Sequence, residues 1–105
     1  MAAKFKLTLA PLPDFNLPVF FQMPNGERAE VGFKVRHIMA SEVQALYQQE
    51  GVKDSDFILK VATGWNLDEE FNEENAIKLI GFYPAAAIAL TQAYLSALAG
   101  QRAKN

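Results

Sequence analysis

The chain of 105 residues contains no cysteine and a single histidine, and these two shortages exclude most metal and redox chemistry. Without cysteine there is no disulfide, no thiolate nucleophile and no zinc–thiolate site. One histidine, His37, is too few for a typical transition-metal site. No nucleophile or carboxylate lies at a spacing along the sequence that would indicate a catalytic partner for this histidine. We therefore interpret His37 as a structural or surface residue.

Long apolar runs and a strong net charge are also missing. No window approaches the roughly 18 apolar residues of a membrane span, and the N-terminus lacks the apolar core of a signal peptide. The scattered glycines form no phosphate-binding loop, so no cofactor is expected. The formal net charge of −2 argues against a protein that mainly neutralises phosphates. These shortages together predict a cytoplasmic, water-soluble protein.

The charges are unevenly distributed. Residues 1–40 hold five basic and three acidic residues, and residues 41–105 hold five basic and nine acidic residues. The resulting difference, +2 against −4, would favour head-to-tail ordering of copies.

Strand patterns occupy the first 38 residues. Residues 4–9 alternate strictly, with Phe5, Leu7 and Leu9 on one face, which is the period of a half-buried strand. Residues 19–23 and 29–36 flank an Asn-Gly pair that favours a tight hairpin turn. The pattern predicts a small antiparallel sheet, a hairpin plus a third strand at residues 4–9.

Helical patterns follow from residue 41. Ser41 and Gln44 form a capping-box pattern, and Gly51 suits the end of that helix. The other predicted boundaries are a helix from Asp54 or Ser55 to Gly64, a third from Asn72, a break at Pro84 and a last helix from Ala85 to Ala99. The predicted fold class is α+β, with the small sheet packed against three to four helices. We expect one domain over 1–105, β-rich at 1–38, helical at 41–100 and a flexible tail at 101–105.

The acidic clusters do not resemble catalytic or metal sites. The Asp54-Ser55-Asp56 run lacks the glycine and the distal glutamate of a calcium loop, and helix capping explains it better. A pair of carboxylates in residues 68–74 could serve hydrolysis, but an exposed acidic helix start is far commoner, so we interpret this run as solvated and partner-facing. No metal site and no enzymatic activity are expected.

Basic residues could line one face of the predicted sheet. They are Lys4, Lys6, Lys34 and Arg36. Glu30 shares that face, and the aromatic rings of Phe5 and Phe33 point the other way, where they cannot stack on bases. Nucleic-acid binding is therefore not expected, although a small nucleic-acid-binding regulator remains an alternative.

The aromatic residues and the last helix hold the candidate partner contacts. Large aromatic side chains occur both in cores and in interface hot spots, and the sequence leaves both possibilities open. On the last helix Ile88, Leu95 and Leu98 fall on one flank, and Leu90 and Tyr94 on a neighbouring one. This apolar face is wider than a small core covers, and we predict that the edge at Leu90, Tyr94 and Leu98 binds partner helices or another copy. The full predicted partner-binding set is Trp65, Phe71, Tyr83, Leu90, Tyr94 and Leu98.

The order of these motifs resembles the small tail assembly chaperones of long-tailed bacteriophages and prophages. The resemblance covers the chain from about residue 5 onward. It rests on the hairpin turn at residues 23–27, Gly64-Trp65 with Phe71, Tyr83-Pro84-Ala85-Ala86, Tyr94 and the closing residues 102–105. Ala86 departs from the pattern, because a glycine is expected early in that turn.

The resemblance implies a non-enzymatic assembly factor. Such proteins keep the tape measure protein soluble, aid recruitment of tail tube protein, self-associate, act in the cytoplasm of the bacterial host and are absent from the mature virion. Many relatives also have a longer product made by a frameshift near the end of the gene. A structural virion component, such as a minor tail or connector protein, is the other alternative.

Overall fold

The computed structural model describes residues 7–100, and this part of the chain begins with a long β-hairpin. Strand β1 (Phe15–Gln22) pairs antiparallel with β2 (Arg28–Val35) along their full length. In the turn, Gly26 has φ +91° and donates its N–H to the carbonyl of Met23 at 2.8 Å. Glycine adopts this left-handed conformation without the steric cost that a Cβ brings. The predicted hairpin and its turn are confirmed.

The third strand comes from a different part of the chain than the sequence predicted. Strand β3 (Ala62–Trp65) pairs antiparallel with β2, and the sheet order is β1-β2-β3. Of the predicted strand at 4–9, residues 4–6 lie outside the described residues, and residues 7–9 belong to no strand. The helix predicted to continue to Gly64 ends at Val61. Pairing with β2 therefore prevails over the local helical pattern at residues 62–64.

Two short helices separate β2 from β3. They are α1 (Ala40–Gln48) and α2 (Asp54–Val61). The predicted Ser41–Gln44 capping box is wrong, because the N-cap of α1 is Met39, and the N-cap of α2 is Lys53, the residue before the predicted caps. At the start of α2 the carboxylate of Asp56 accepts the N–H of Lys53 at 2.9 Å. The carboxylate of the third helical residue thus accepts the free N–H of the N-cap residue, as in a capping box.

The last two helices are separated by the predicted break. Helix α3 (Glu73–Phe82) begins at the cap Asn72, whose side-chain oxygen accepts the N–H of Asn75 at 2.8 Å. Helix α4 (Pro84–Leu98) has Pro84 in its first turn, where a missing N–H costs nothing. The axes of α3 and α4 differ by 107°. The cap at Asn72 and the break at Pro84 are confirmed.

The helices pack on one face of the sheet, and α4 makes the main contact with β1. The α+β class is confirmed. The segment 41–100 contains β3 in addition to its helices, and the tail predicted at 101–105 lies outside the described residues. The core combines inward strand residues with one side of each of the four helices: Leu17, Val19, Phe21, Val31, Phe33, Val35, Val43, Phe57, Ile58, Val61, Ala62, Ala76, Leu79, Ala86, Leu90 and Tyr94.

Within residues 7–100, no single helix has both the length and the apolar character needed to cross a membrane. The strongly bent pair formed by α3 and α4 satisfies those two criteria only when the helices are taken together.

Candidate functional site

The structure divides the six predicted partner contacts into three groups. Leu90 and Tyr94 are 0 % exposed and belong to the core. Leu98 is half-buried at the edge of the core on α4, and Trp65, Phe71 and Tyr83 are half-buried on β3, before α3 and between α3 and α4. Leu90 and Tyr94 therefore offer no side-chain surface to a partner, and of the predicted edge only Leu98 is accessible. Because α4 lies against β1, the inward flank of the helix is the one that carries these two residues.

The hydroxyl of Tyr94 has hydrogen-bond partners inside the protein, which allows this residue to be buried. It donates to the carbonyl of Arg36 at 2.6 Å and accepts the N–H of Ile38 at 3.1 Å. Removal of the hydroxyl from water raises the pKa of Tyr94 above its ordinary value, and the nearby Glu42 carboxylate acts in the same direction, whereas the bond from Ile38 opposes it. The residue joins α4 to the chain that leaves β2.

The outward side of α4 forms an apolar surface, which we call the α4 flank: exposed Ile88 and Leu95, with half-buried Leu98 at its edge. Ile88 is 60 % and Leu95 45 % exposed, and their spacing of seven residues places them on one side of the helix. No charged residue occurs in the 15 residues of α4, although the solvent side of a surface helix normally carries charges. Ile88 and Leu95 are not in the predicted partner-binding set. The absence of charged residues from α4 could have identified them from the sequence.

A tyrosine of α1 extends the α4 flank. The Tyr47 hydroxyl lies 3.4 Å from the hydroxyl of Thr91, which itself donates to the carbonyl of Ala87 at 2.9 Å. Partial burial raises the pKa of Tyr47, with a smaller contribution in the same direction from Asp54, while the Thr91 bond lowers it. The hydroxyl groups of Tyr47 and Thr91 thus already have partners, which lowers the polarity of this part of the surface.

Three of the predicted aromatic residues lie near a second surface. The ring of Trp65 packs edge-to-face on Phe71 at 5.0 Å and on Phe33 at 6.2 Å, and its indole N–H donates to the carbonyl of Glu69 at 2.7 Å. The ring of Tyr83 lies 6.1 Å from that of Phe21. These contacts fix the loop between β3 and α3 against the sheet.

Between that loop, α3 and the hairpin lies a solvent-open pocket of about 340 Å³, which we call the β2 groove. Its volume is near the lower end of the range usual for ligand pockets, roughly 300–1,000 Å³. Phe71 packs behind Trp65 and does not line it. The lining residues are Phe21, Met23, Ala29, Glu30, Val31, Trp65, Leu67, Glu69, Asn75, Lys78, Leu79, Phe82 and Tyr83.

The rim of the β2 groove is acidic. Two glutamates, Glu30 and Glu69, and one lysine, Lys78, are among the lining residues, and the lysine pairs with Glu74 at 3.6 Å. This exposed ion pair contributes little stability but compensates the lysine charge locally. The groove therefore favours an apolar segment that carries basic residues.

The remaining polar residues serve structural contacts. The N–H of Leu12 donates to Nδ1 of His37 at 2.9 Å, which ties the segment before β1 to the end of β2. Among the described residues, no group of three or more histidine, aspartate or glutamate side chains is placed to hold a metal ion. The two surfaces that stand out, the α4 flank and the β2 groove, are both suited to binding protein segments.

Comparison with known proteins identifies the family. The family model described as phage tail assembly chaperone matches residues 1–105. No curated protein and no solved structure matches the chain. Since the match extends over the whole sequence, the chain belongs to the phage tail assembly chaperone family.

Proposed function

We propose that the protein keeps the tape measure protein of its phage soluble through the α4 flank until the tail tube assembles around it. The family membership supplies the general role. The α4 flank carries the specific proposal, because its uncharged, half-exposed residues recur at the spacing with which one helix packs against another. The tape measure protein is the expected client because its long apolar helices need cover before assembly.

Low affinity at each site suits this role. A flank of three apolar side chains buries little area, so one copy binds weakly, and several copies that self-associate along one client add their affinities. Weak individual contacts also allow the chaperone to leave as tail tube protein is recruited. We accordingly propose that the protein acts by binding alone, in the cytoplasm of the bacterial host, and is absent from the finished virion.

Co-expression with the tape measure protein tests the proposal. The double variant Ile88→Asp/Leu95→Asp places charges on the α4 flank, where both positions are exposed enough to accept them. We expect the amount of soluble tape measure protein to fall at least tenfold, the equivalent of about 1.4 kcal/mol in client affinity. The thermal unfolding midpoint of the chaperone should change little.

A matched control is available on α3. Ile77 is also an exposed isoleucine, at 51 %, and Ile77→Asp adds one carboxylate, half the charge of the double variant, away from the α4 flank. This variant should retain client solubility. If the double variant solubilises the client as well as the unmodified protein does, the α4 flank is not the client surface. Stable incorporation into purified particles would instead favour a virion component.

A further inference from the structure

One edge of the sheet is only half covered. β3 pairs with β2 at Phe33–Val35. Asn66 continues the hydrogen bonding to Gly32, because its side chain accepts the Gly32 N–H at 2.9 Å and its own N–H donates to the Gly32 carbonyl at 3.0 Å. Within residues 7–100, no strand pairs with residues 28–31 on this side. β2 is therefore an open edge there.

The backbone of this open edge is oriented to accept another strand. In an antiparallel sheet the N–H and C=O groups of alternate residues point to the same neighbour. Because Gly32 faces β3 and Asn66, the backbones of Glu30 and Arg28 face the same side, where the strand partner ends. An unpaired strand edge of this kind is a template for pairing with another chain.

The side chains beside the open edge specify what would fit. Ala29 and Val31 point inward and line the β2 groove together with Leu67 and Leu79. Glu30 lies on the outward face of the strand. A strand added here needs apolar side chains at alternate positions for the groove and basic side chains between them for Glu30, because opposite charges on neighbouring strands attract.

The chain itself contains a segment with this pattern. In residues 4–9, Phe5, Leu7 and Leu9 alternate with Lys4, Lys6 and Thr8. Leu7 and Leu9 lie in no strand and are 75 % and 100 % exposed, an unusual cost for two leucines so close together. Within residues 7–100, the protein thus has two exposed leucines of an alternating segment outside its sheet, and a sheet edge that lacks a strand.

Leu7 and Leu9 cannot readily reach the open edge of their own copy. The bond from Leu12 to His37 holds the chain that follows them at the far end of β2. From Leu12, the chain reaches at most about 11 Å to Leu9 and about 18 Å to Leu7. Glu30 is roughly 23 Å from His37 along an extended strand. β3 and Asn66 occupy the path between them, which lengthens it further.

We propose that residues 4–9 of one copy pair with residues 28–31 of a second copy, inserting Phe5, Leu7 and Leu9 into its β2 groove. This inference rests on the self-association proposed above and names the segment and the surface that produce it. Each copy donates one segment and accepts another. A reciprocal exchange closes a two-fold dimer, and a one-way exchange from copy to copy builds rings or open chains. The α4 flank, on another surface, remains available to the client.

Sedimentation of surface variants tests the proposal. Leu7→Ser/Leu9→Ser removes two exposed side chains and should leave the monomer folded while raising the dissociation constant of the oligomer at least tenfold. Leu12→Ser is the matched control, because Leu12 is also exposed and only its backbone N–H makes the bond to His37. This control should assemble normally.

The outcomes distinguish a failure of the strand exchange from a failure of self-association as a whole. Oligomers that persist unchanged in the Leu7→Ser/Leu9→Ser variant overturn strand exchange and leave self-association standing. An unmodified protein that stays monomeric at high concentration overturns both.

Disulfide trapping then locates the contact, which is simple because the chain has no cysteine of its own. A tagged chain with Lys6→Cys should form a disulfide with an untagged chain that carries Glu30→Cys. It should form far less with Lys34→Cys, which lies on the same outward face about 13 Å along β2, where β3 already pairs. Equal trapping at both positions, or trapping only within one chain of a Lys6→Cys/Glu30→Cys double variant, would contradict the exchange.

Discussion

Replacing Tyr94 by phenylalanine removes two hydrogen bonds from the junction between α4 and the sheet while keeping the buried ring. The hydroxyl donates to the Arg36 carbonyl and accepts the Ile38 N–H, so the variant leaves both backbone groups without this partner. The ring keeps its edge-to-face contact with Phe57, whose centroid lies 6.0 Å away. The change therefore isolates the hydrogen bonds from the packing.

The magnitude follows from those two bonds. Each contributes about 1 kcal/mol net, and abandoned groups that remain buried cost somewhat more, so we expect a loss of about 2–3 kcal/mol. With a urea dependence of roughly 1–3 kcal/mol per molar, the midpoint of urea unfolding should fall by about 1 M or more. Circular dichroism across a urea series measures this midpoint.

Tyr47→Phe is the matched control for the same atomic change. The Tyr47 hydroxyl is partly exposed and has one long contact, 3.4 Å from the Thr91 hydroxyl. Its loss should cost less than about 0.5 kcal/mol, because water replaces the contact. An equally small effect for Tyr94→Phe would refute the reasoning, since it would mean that water reaches Arg36 and Ile38 as well. Client affinity per folded molecule should stay unchanged in Tyr94→Phe, as expected of a core residue.

Three further predictions concern caps, turns and pH. Asn72→Ala removes the side-chain acceptor for the Asn75 N–H at the start of α3 and should lower the free energy of unfolding by about 1 kcal/mol in the same urea assay, whereas Asn72→Ser should restore most of it. Gly26→Ala places a Cβ at φ +91° in the hairpin turn and should cost about 1–2 kcal/mol; an unchanged thermal midpoint would show that the turn relaxes to another type. Burial raises the pKa of both Tyr47 and Tyr94, so the unfolded chain loses these protons first as the pH rises past about 10. The free energy of unfolding should therefore be insensitive to these groups below pH 10 and fall above it, and the Tyr47→Phe/Tyr94→Phe variant should show a shallower fall between pH 9 and 11.

Local patterns determined much of this protein without tertiary information. The Asn-Gly turn, the cap at Asn72 and the break at Pro84 were all predictable, because each depends on backbone conformation or on a hydrogen bond within a few residues. The ordered set of motifs was also enough to suggest the family, which the match over residues 1–105 confirms.

Tertiary structure decided what the sequence left ambiguous. The sequence predicted the third strand at residues 4–9 and a helix through residues 62–64, whereas Ala62–Trp65 pair with β2 as the third strand. Strand choice depends on long-range contacts, whose free energy is invisible in a local window.

The same holds for the binding surfaces. The helical spacing of apolar residues on α4 indicated two flanks. Only the packing of the helix on β1 decided that Leu90 and Tyr94 are buried and that Ile88 and Leu95 face solvent. The β2 groove joins residues from the hairpin, the loop after β3 and α3, which no spacing along the chain relates. The sequence by itself determined the local elements and the family. Which apolar faces remain open was decided by burial, because burial is a property of the whole fold.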